Sequence, residues 1–538
     1  MKKVYVSIIL CSLIFVFNAC ENQIMQKLLD PLVAHDGAVI YTITFNANGG
    51  KGTIEPIKVK AGECINLPKG EGFTREDYTF RRWSKKNADG KKEYFRAGAE
   101  YTPADSTTFY AEWRKANVTD VTDEDGEKLI DKLKWIMENA ESDTTYEIIL
   151  EDDETLDTFE FYFPEKSNII IQISGNVEKL VTLSPSGGPL FTIGKGVTLE
   201  LSEVTLKGKE GNNASLVCVD GGELVINDGV VITGNNINKL NGGGVYVAND
   251  GIFTMNGGKI SGNNAGLGGA VYVYDGTFTM NGGEISENTA QSGGGVYVEH
   301  DGEFTMESGT ISGNTANANG GGVANDGTFT MESGTISGNN AQFGGGVDNY
   351  DAGEFTMKDG TISGNIATGN GGGVDNGGIF IMESGIISGN MAYGNGGGVY
   401  NDGNLTMNGG TISGNTATGN GGGVYVAGRE DSDIPGSIFT VGGTAKVFGN
   451  TGDSGQNNVF LDWERYITLG EDEENTPKEG MKIHVKTANQ DGGLVVWMDD
   501  AGDDSLWEYF MELCNYFTAD GGGEVYPNDN GLWLSYEY

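Results

Sequence analysis

The sequence predicts an all-β protein organised around a parallel β-helix with three short strands per coil. Three observations carry that prediction. From Asn241 to Val426 the chain repeats one phrase: G-G-G-V-Y, a short turn, G-x-F-T-M, then x-x-G-x-I-S-G-N. Aligning the aromatic gives Phe253, Phe278, Phe304, Phe329, Phe355, Phe380 and Leu405, at gaps of 25 or 26 residues. Self-similarity at such a period marks a solenoid, propeller or array. Each repeat also holds three runs of alternating character bounded by Gly, Asn and Asp, such as Val245-Tyr246-Val247, Ile252-Phe253-Thr254-Met255 and Lys259-Ile260-Ser261. Period-2 alternation between turn residues reads as strand. Finally, three strands in so short a repeat fit one coil of a β-helix, whereas a propeller blade needs ~40 residues or more.

Within a coil, Val245, Val247, Phe253, Met255 and Ile260 should face inward, and Tyr246, Thr254, Lys259 and Ser261 outward. Coils stacked ~4.8 Å apart turn every position into a ladder. Met255, Met280, Met306, Met331, Met357, Met382 and Met407 form one inward column. Asn263, Asn288, Asn314, Asn339, Asn365, Asn390 and Asn415 form another, ten residues after the aromatic. Asn repeated at a turn is expected to satisfy buried backbone groups and its own neighbours. The Gly triplets Gly242–Gly244, Gly293–Gly295 and Gly371–Gly373 supply positive φ or close backbone approach at a corner. No Lys-Ser/Thr follows them, so they are not phosphate loops. A single coil cannot cover its own two open edges, so the stack needs caps.

The rest of the chain can be taken in order. It has 538 residues, 88 Gly, only 10 Pro and a formal charge of −42. That acidity argues against nucleic acid and anionic lipid surfaces as partners. Residues 1–19 read as a secretory signal: Met1-Lys2-Lys3, then an apolar run from Val4 to Phe17 too short to span as a mature helix. The signal ends Val16-Phe17-Asn18-Ala19-Cys20, which resembles a bacterial lipoprotein box. The resemblance implies lipidation at Cys20 and an exported protein anchored in the cell envelope, at the outer membrane or cell surface. Plain cleavage after Ala19 is the alternative. Residues 20–39 read as a tether. Cys64, Cys218 and Cys514 are odd in number and far apart, and with only three His they support neither a disulfide framework nor a zinc site.

Residues 40–114 form a separate β-rich unit. It carries Phe45-Asn46-Ala47-Asn48-Gly49-Gly50, Val59-Lys60-Ala61-Gly62, Leu67-Pro68, Tyr78-Thr79-Phe80-Arg81-Arg82-Trp83 and Phe109-Tyr110-Ala111-Glu112-Trp113. This unit resembles the internalin-type B-repeat (the Listeria-Bacteroides repeat), which implies a spacer or adhesive module rather than catalysis. Asp77 and Arg82 stand where that family usually has Gly. Residues 115–141 are an acidic linker and a helix over Gly126 to Ala140, with Leu129, Ile130, Leu133, Ile136 and Met137 at helical spacing, suited to cover the first coil. The β-helix is expected over 142–465; Leu199 and Leu224 already sit one period apart. An insertion from Gly428 to Ser437 lengthens one turn. Residues 466–538 read as a C-terminal cap. It holds a capping box at Ser505-Leu506-Trp507-Glu508 opening a helix to about Phe517, and a hairpin around Asn530-Gly531. That stretch is too short for a transmembrane β-barrel. The coil consensus resembles the repeats of polymorphic outer-membrane proteins and the pectin-lyase-like group. That resemblance implies a right-handed coil, in a fold that hosts both enzymes and adhesins.

In a regular solenoid, function should sit where a ladder breaks. The residue after G-G-G-V runs Tyr246, Tyr272, Tyr297, Ala324, Asp348, Asp375, Tyr400, Tyr425. The tyrosines are read as outward and able to stack on sugar rings or a partner; packing along the sheet is the plainer reading. Asp348 and Asp375 fall on adjacent coils as a carboxylate pair. Without nearby Arg, Lys or His to complete a site, and with each preceding an Asn as turn residues do, they are not assigned catalysis. A further outward column contains Glu307, Glu332 and, between Glu332 and Glu383, Lys358. Its glutamates are the candidate Ca²⁺ ligands, and no other cofactor is expected. The expectation is therefore a lipid-anchored envelope protein, not an enzyme, presenting a rigid β-helix to host, matrix or neighbouring-cell protein or polysaccharide. The alternatives are a polysaccharide-binding or polysaccharide-cleaving protein and a passive stalk.

Overall fold

Alternation of apolar and polar residues in short runs gives strands wherever the sequence carries it, and strands account for 52% of the chain against 3% helix. The computed structural model describes residues 32–33, 39–87, 90, 92–115, 118–122, 125–428, 437–470, 475–488, 493–497, 511–521, 523–528 and 531–535. The signal segment and Cys20, the capping box at Ser505, and most of the Gly428–Ser437 insertion lie outside the described residues. The chain divides after Val118 into two compact units.

The first unit is a small mixed sheet. Thr107–Lys115 lies between Val39–Asn46, which it pairs in parallel, and Tyr78–Lys86, which it pairs antiparallel. Ile57–Lys60 and Lys92–Phe95 extend the two sides. Ile43, Val59, Leu67, Phe73, Trp83, Phe109 and Ala111 form its core. Asp77 adopts φ 61°, the left-handed conformation a glycine would take, which Asp tolerates better than most residues. Arg82 keeps its place by laying its guanidinium over the Tyr94 ring, 3.8 Å from the centroid.

The second unit is a β-solenoid of about 14 turns. Strand follows strand in one 41-stranded path, each also pairing in parallel with its equivalent one coil away. Three columns of strands result, typified by Val245–Ala248, Ile252–Met255 and Lys259–Ser261. A fourth, narrower ladder of eight strands begins at Thr289–Ser292. The inward set is as expected: Val245, Val247, Phe253, Met255 and Ile260 are fully buried. Phe253, Phe278, Phe304, Phe329, Phe355 and Phe380 stack with centroids 4.6–4.8 Å apart, which is the coil rise itself.

The ends are closed differently. Helix Leu129–Asn139 buries Leu129, Leu133 and Ile136 in the same cluster as Tyr146, Ile148 and Leu150 of the first coil. At the other end the coil stacking carries on past residue 465 into the stretch expected to be cap. Ile467–Leu469 and Lys482–Thr487 still pair in parallel with the coils before them. In this strand path antiparallel pairs then follow, Gly493–Trp497 with Gly531–Ser535 and the latter with Glu524–Asn528. Antiparallel pairing ends a parallel stack because it leaves no matching edge for a further coil.

The Gly triplets answer two needs. Gly242, Gly293 and Gly371 have φ near +65°. The next glycine has ordinary φ but no room: a Cβ on Gly345 would lie 2.5 Å from the Gly372 carbonyl oxygen.

Candidate functional site

The Asn ladder is structural throughout. Each of Asn263, Asn288, Asn314, Asn339, Asn365, Asn390 and Asn415 is buried. In the middle of the run, the Asn339 amide donates forward to Asn365 Oδ1 at 3.0 Å and to the Ile311 carbonyl at 3.0 Å. Its own Oδ1 accepts from the backbone N–H and the Nδ2 of Asn314. The pattern starts at Asn212, passes through Asn235, and ends through Asn450 and Asn458 on the carboxylate of Asp520, an acceptor that needs no further link.

A second amide ladder was not foreseen. Asn325, Asn349, Asn376 and Asn401 are fully buried, and each donates to the next at 2.7–2.8 Å. Asn349 and Asn376 therefore belong to strands Val347–Asn349 and Val374–Asn376 and face the core, so the turn reading of the Asp-Asn pairs is corrected. The signal was the replacement of V-Y-V by V-x-N from Val323 onward. The ladder's first acceptor, Asn325 Oδ1, has no donor, because the preceding coil holds Val298 at that rung.

The outer face of the first strand column carries the candidate residues. Register places Cys218, Tyr246, Tyr272, Tyr297, Ala324, Asp348, Asp375, Tyr400, Tyr425 and Phe460 on successive rungs. Tyr246, Tyr272 and Tyr297 stack at 5.3 and 5.5 Å, and Tyr400, Tyr425 and Phe460 at 5.3 and 5.5 Å. The expectation of outward, accessible rings needs correction for two of them. Tyr272 and Tyr297 are buried, covered by their neighbours and by Tyr350. Tyr246, Tyr400 and Tyr425 remain partly exposed.

Tyr350 is the residue that sequence reasoning missed. It comes from the turn after Asn349 and rests 6.2 Å from Tyr297, over the space that Ala324 leaves. Asn319 Nδ2 donates to its hydroxyl at 3.0 Å. The available signal was an aromatic in a turn two residues longer than those of the coils on either side, beside the one rung where Ala replaces Tyr.

Asp348 and Asp375 are register partners, as expected. Asp348 is only 6% exposed, while Asp375 is partly exposed. Neither carboxyl has a hydrogen-bond donor or cation among the described residues. Burial pushes Asp348 up to about 7. Burial first, then the charges of Asp348 and Asp402, push Asp375 well above the carboxylate range. Two carboxyls on adjacent rungs with no donor between them are held most cheaply when protons replace their charges. Such a pair can take up a proton or a cation; no group of three or more His, Cys, Asp or Glu suited to a metal occurs among the described residues. Glu332 is engaged by Lys358 at 2.7 Å, so of the two candidate metal ligands it already has a cation.

Comparison with known proteins adds one match. A family model described as the Listeria-Bacteroides repeat domain matches residues 41–112, the sheet unit described above. No curated protein and no solved structure matches the chain.

Proposed function

We propose that the protein is an exported, lipid-anchored envelope component that presents its β-solenoid as a rigid recognition surface toward host, matrix or neighbouring-cell partners. The repeat module and the solenoid together fit a surface or structural protein, and among the described residues no helix is long and apolar enough to cross a membrane. One observation carries the finer reading. In the middle of the outer face of the first strand column the repetition breaks in a short strip, where Asp348 and Asp375 lie between two aromatic stacks. Within the aromatic stacks the rungs repeat so closely that one offers a partner nothing the next does not.

A second reading rests on the same carboxyl pair: a polysaccharide-binding or polysaccharide-cleaving protein in which Asp348 and Asp375 handle protons. One experiment separates the readings. Mature protein is screened against polysaccharides and matrix proteins, scoring binding and the release of new chain ends. Binding without cleavage, weakened by Tyr400→Ser and Tyr425→Ser, is the expected result. New ends that vanish in Asp348→Asn would make it an enzyme, and silence on both counts would leave a passive stalk.

A further inference from the structure

The aromatic column of the outer face stops abruptly at Tyr246. One face of its ring stacks on Tyr272 at 5.3 Å. On the other side the register partner is Cys218, which has no ring. Two other rungs without a ring are covered: Tyr350 packs over Ala324, and Asp348 is almost wholly buried. The Cys218 rung instead opens into a cavity of about 450 Å³, lined by Tyr246, Pro189, Leu240, Cys218 and Ser215. That volume lies in the ~300–1,000 Å³ range of small-molecule sites.

The polar groups at this cavity define what it would accept. Lys239 and Asn241 also line it. Neither side chain has a hydrogen-bond or ion-pair partner among the described residues. Lys offers only donors, and the Asn amide adds two more. Ser215 spends its proton on the Asn241 carbonyl at 2.9 Å, leaving that hydroxyl oxygen as an acceptor. The Leu240 side chain is 47% exposed beside them, an apolar surface next to an open tyrosine ring.

We propose that this cavity is a binding site for a single six-membered ring with an apolar face and an anionic, oxygen-bearing edge: the ring occupies the vacant rung on Tyr246, and its anionic edge meets Lys239 and Asn241. Both a pyranose bearing a carboxylate and an aromatic acid have this chemistry, since each offers a face for stacking and an edge for donors. The site does not depend on the adhesive reading, because it lies at the end of the column and uses none of Asp348, Asp375, Tyr400 or Tyr425.

Cys218 supplies the readout. Cys218 is partly exposed and lines the cavity, so an occupant must shield it. Mature full-length protein is alkylated with N-ethylmaleimide, and modification of Cys218 and of exposed Cys64 is followed by peptide mass spectrometry. Glucuronate and 4-hydroxybenzoate are added separately. At roughly ten times its Kd, a bound probe should slow Cys218 about tenfold and leave Cys64 unchanged; which probe protects tells sugar from aromatic acid. Lys239→Glu, an exposed substitution, should remove the protection, judged against the rate of that same variant without probe. Cys218→Tyr should complete the aromatic ladder and abolish probe binding by calorimetry. The proposal fails if neither probe slows Cys218 up to its solubility limit, if protection survives Lys239→Glu, or if folded Cys218→Tyr still binds.

Discussion

Replacing Asn339 with Ala tests the stacking logic most directly. The side chain takes part in four hydrogen bonds: two accepted from Asn314, one donated to the Ile311 carbonyl and one donated to Asn365 Oδ1. All four are buried, and neighbouring coils leave no path for water to replace them. The backbone N–H of Asn314 loses its acceptor outright, and the Asn314 amide loses its forward link. A buried group left unpaired costs about 1–3 kcal/mol, so two orphaned donors and two weakened acceptors predict a loss of about 3–5 kcal/mol. The shared bonds also predict coupling. Once Asn314 is Ala as well, its amide is no longer there to be orphaned. The double variant should therefore be about 1–2 kcal/mol more stable than the sum of the singles. Urea unfolding followed by circular dichroism and by tyrosine fluorescence gives both numbers, with the two probes checking that the solenoid unfolds as one unit. A loss under about 1 kcal/mol for Asn339→Ala, or strict additivity, would mean the ladder is ornamental and stacking rests on the Phe and Met columns alone.

Three further outcomes follow from the same geometry. Burial raises Asp348 and Asp375, so the native state holds protons that the unfolded chain releases; the neutral pair's contribution is full below the ordinary value of 3.8 and is lost as pH rises toward about 7. Asp348→Asn should therefore raise the melting temperature at pH 8 and flatten its pH dependence between those values; a wild-type protein that grows steadily more stable over that range would contradict the assignment. Gly345→Ala should destabilise by more than Gly364→Ala, because the first Cβ meets backbone at 2.5 Å whereas the second, at φ +65°, has open space and only about 1 kcal/mol of backbone strain; equal melting temperatures would refute the close-approach account. Lys358→Met should shift stability by less than about 1 kcal/mol, since its bond to Glu332 is solvent-exposed, and millimolar Ca²⁺ should raise the melting temperature of that variant more than of the wild type if the glutamate column takes up the ion; equal shifts in calorimetry would remove Glu307 and Glu332 as ligands.

Much of the solenoid was readable because its ladders are written as repeats. The Phe column, the Met column and the first Asn ladder are periodic positions, and a periodic position in a stacked coil has only one neighbour type above and below. What was not readable depends on contacts outside the period. Tyr350 covers Ala324 from a lengthened turn, so the rung looks empty in the sequence and is full in space. Tyr272 and Tyr297 alternate as outward residues do, yet they are buried because outward from the coil is not the same as exposed to water once rings pile on rings. The Asn349 and Asn376 side chains were misassigned because Asp-Asn is common turn chemistry, and only register shows that Asn325 and Asn401 flank them in one line. Cys218 carried no signal until the Tyr column it interrupts was seen to end beside a cavity.

The ladders differ in how much change they tolerate, and that difference locates function. An inward rung must stay filled: losing one Phe side chain leaves a void between rings 4.8 Å away on either side, and losing one Asn orphans donors in two coils. The outer column has solvent on one side, so a missing ring can be covered from a turn, left open, or exchanged for a charge. It is used in all three ways, at Ala324, at Cys218 and at the Asp348–Asp375 pair. The covered break restores packing and offers nothing to a ligand. The other two do not restore it. One leaves an aromatic face without a stacking partner, and the other leaves two carboxyls without donors, each a state that a ligand of matching chemistry would lower in free energy. Neither follows from packing alone, since a tyrosine at either rung would extend a stack that the neighbouring rungs already build.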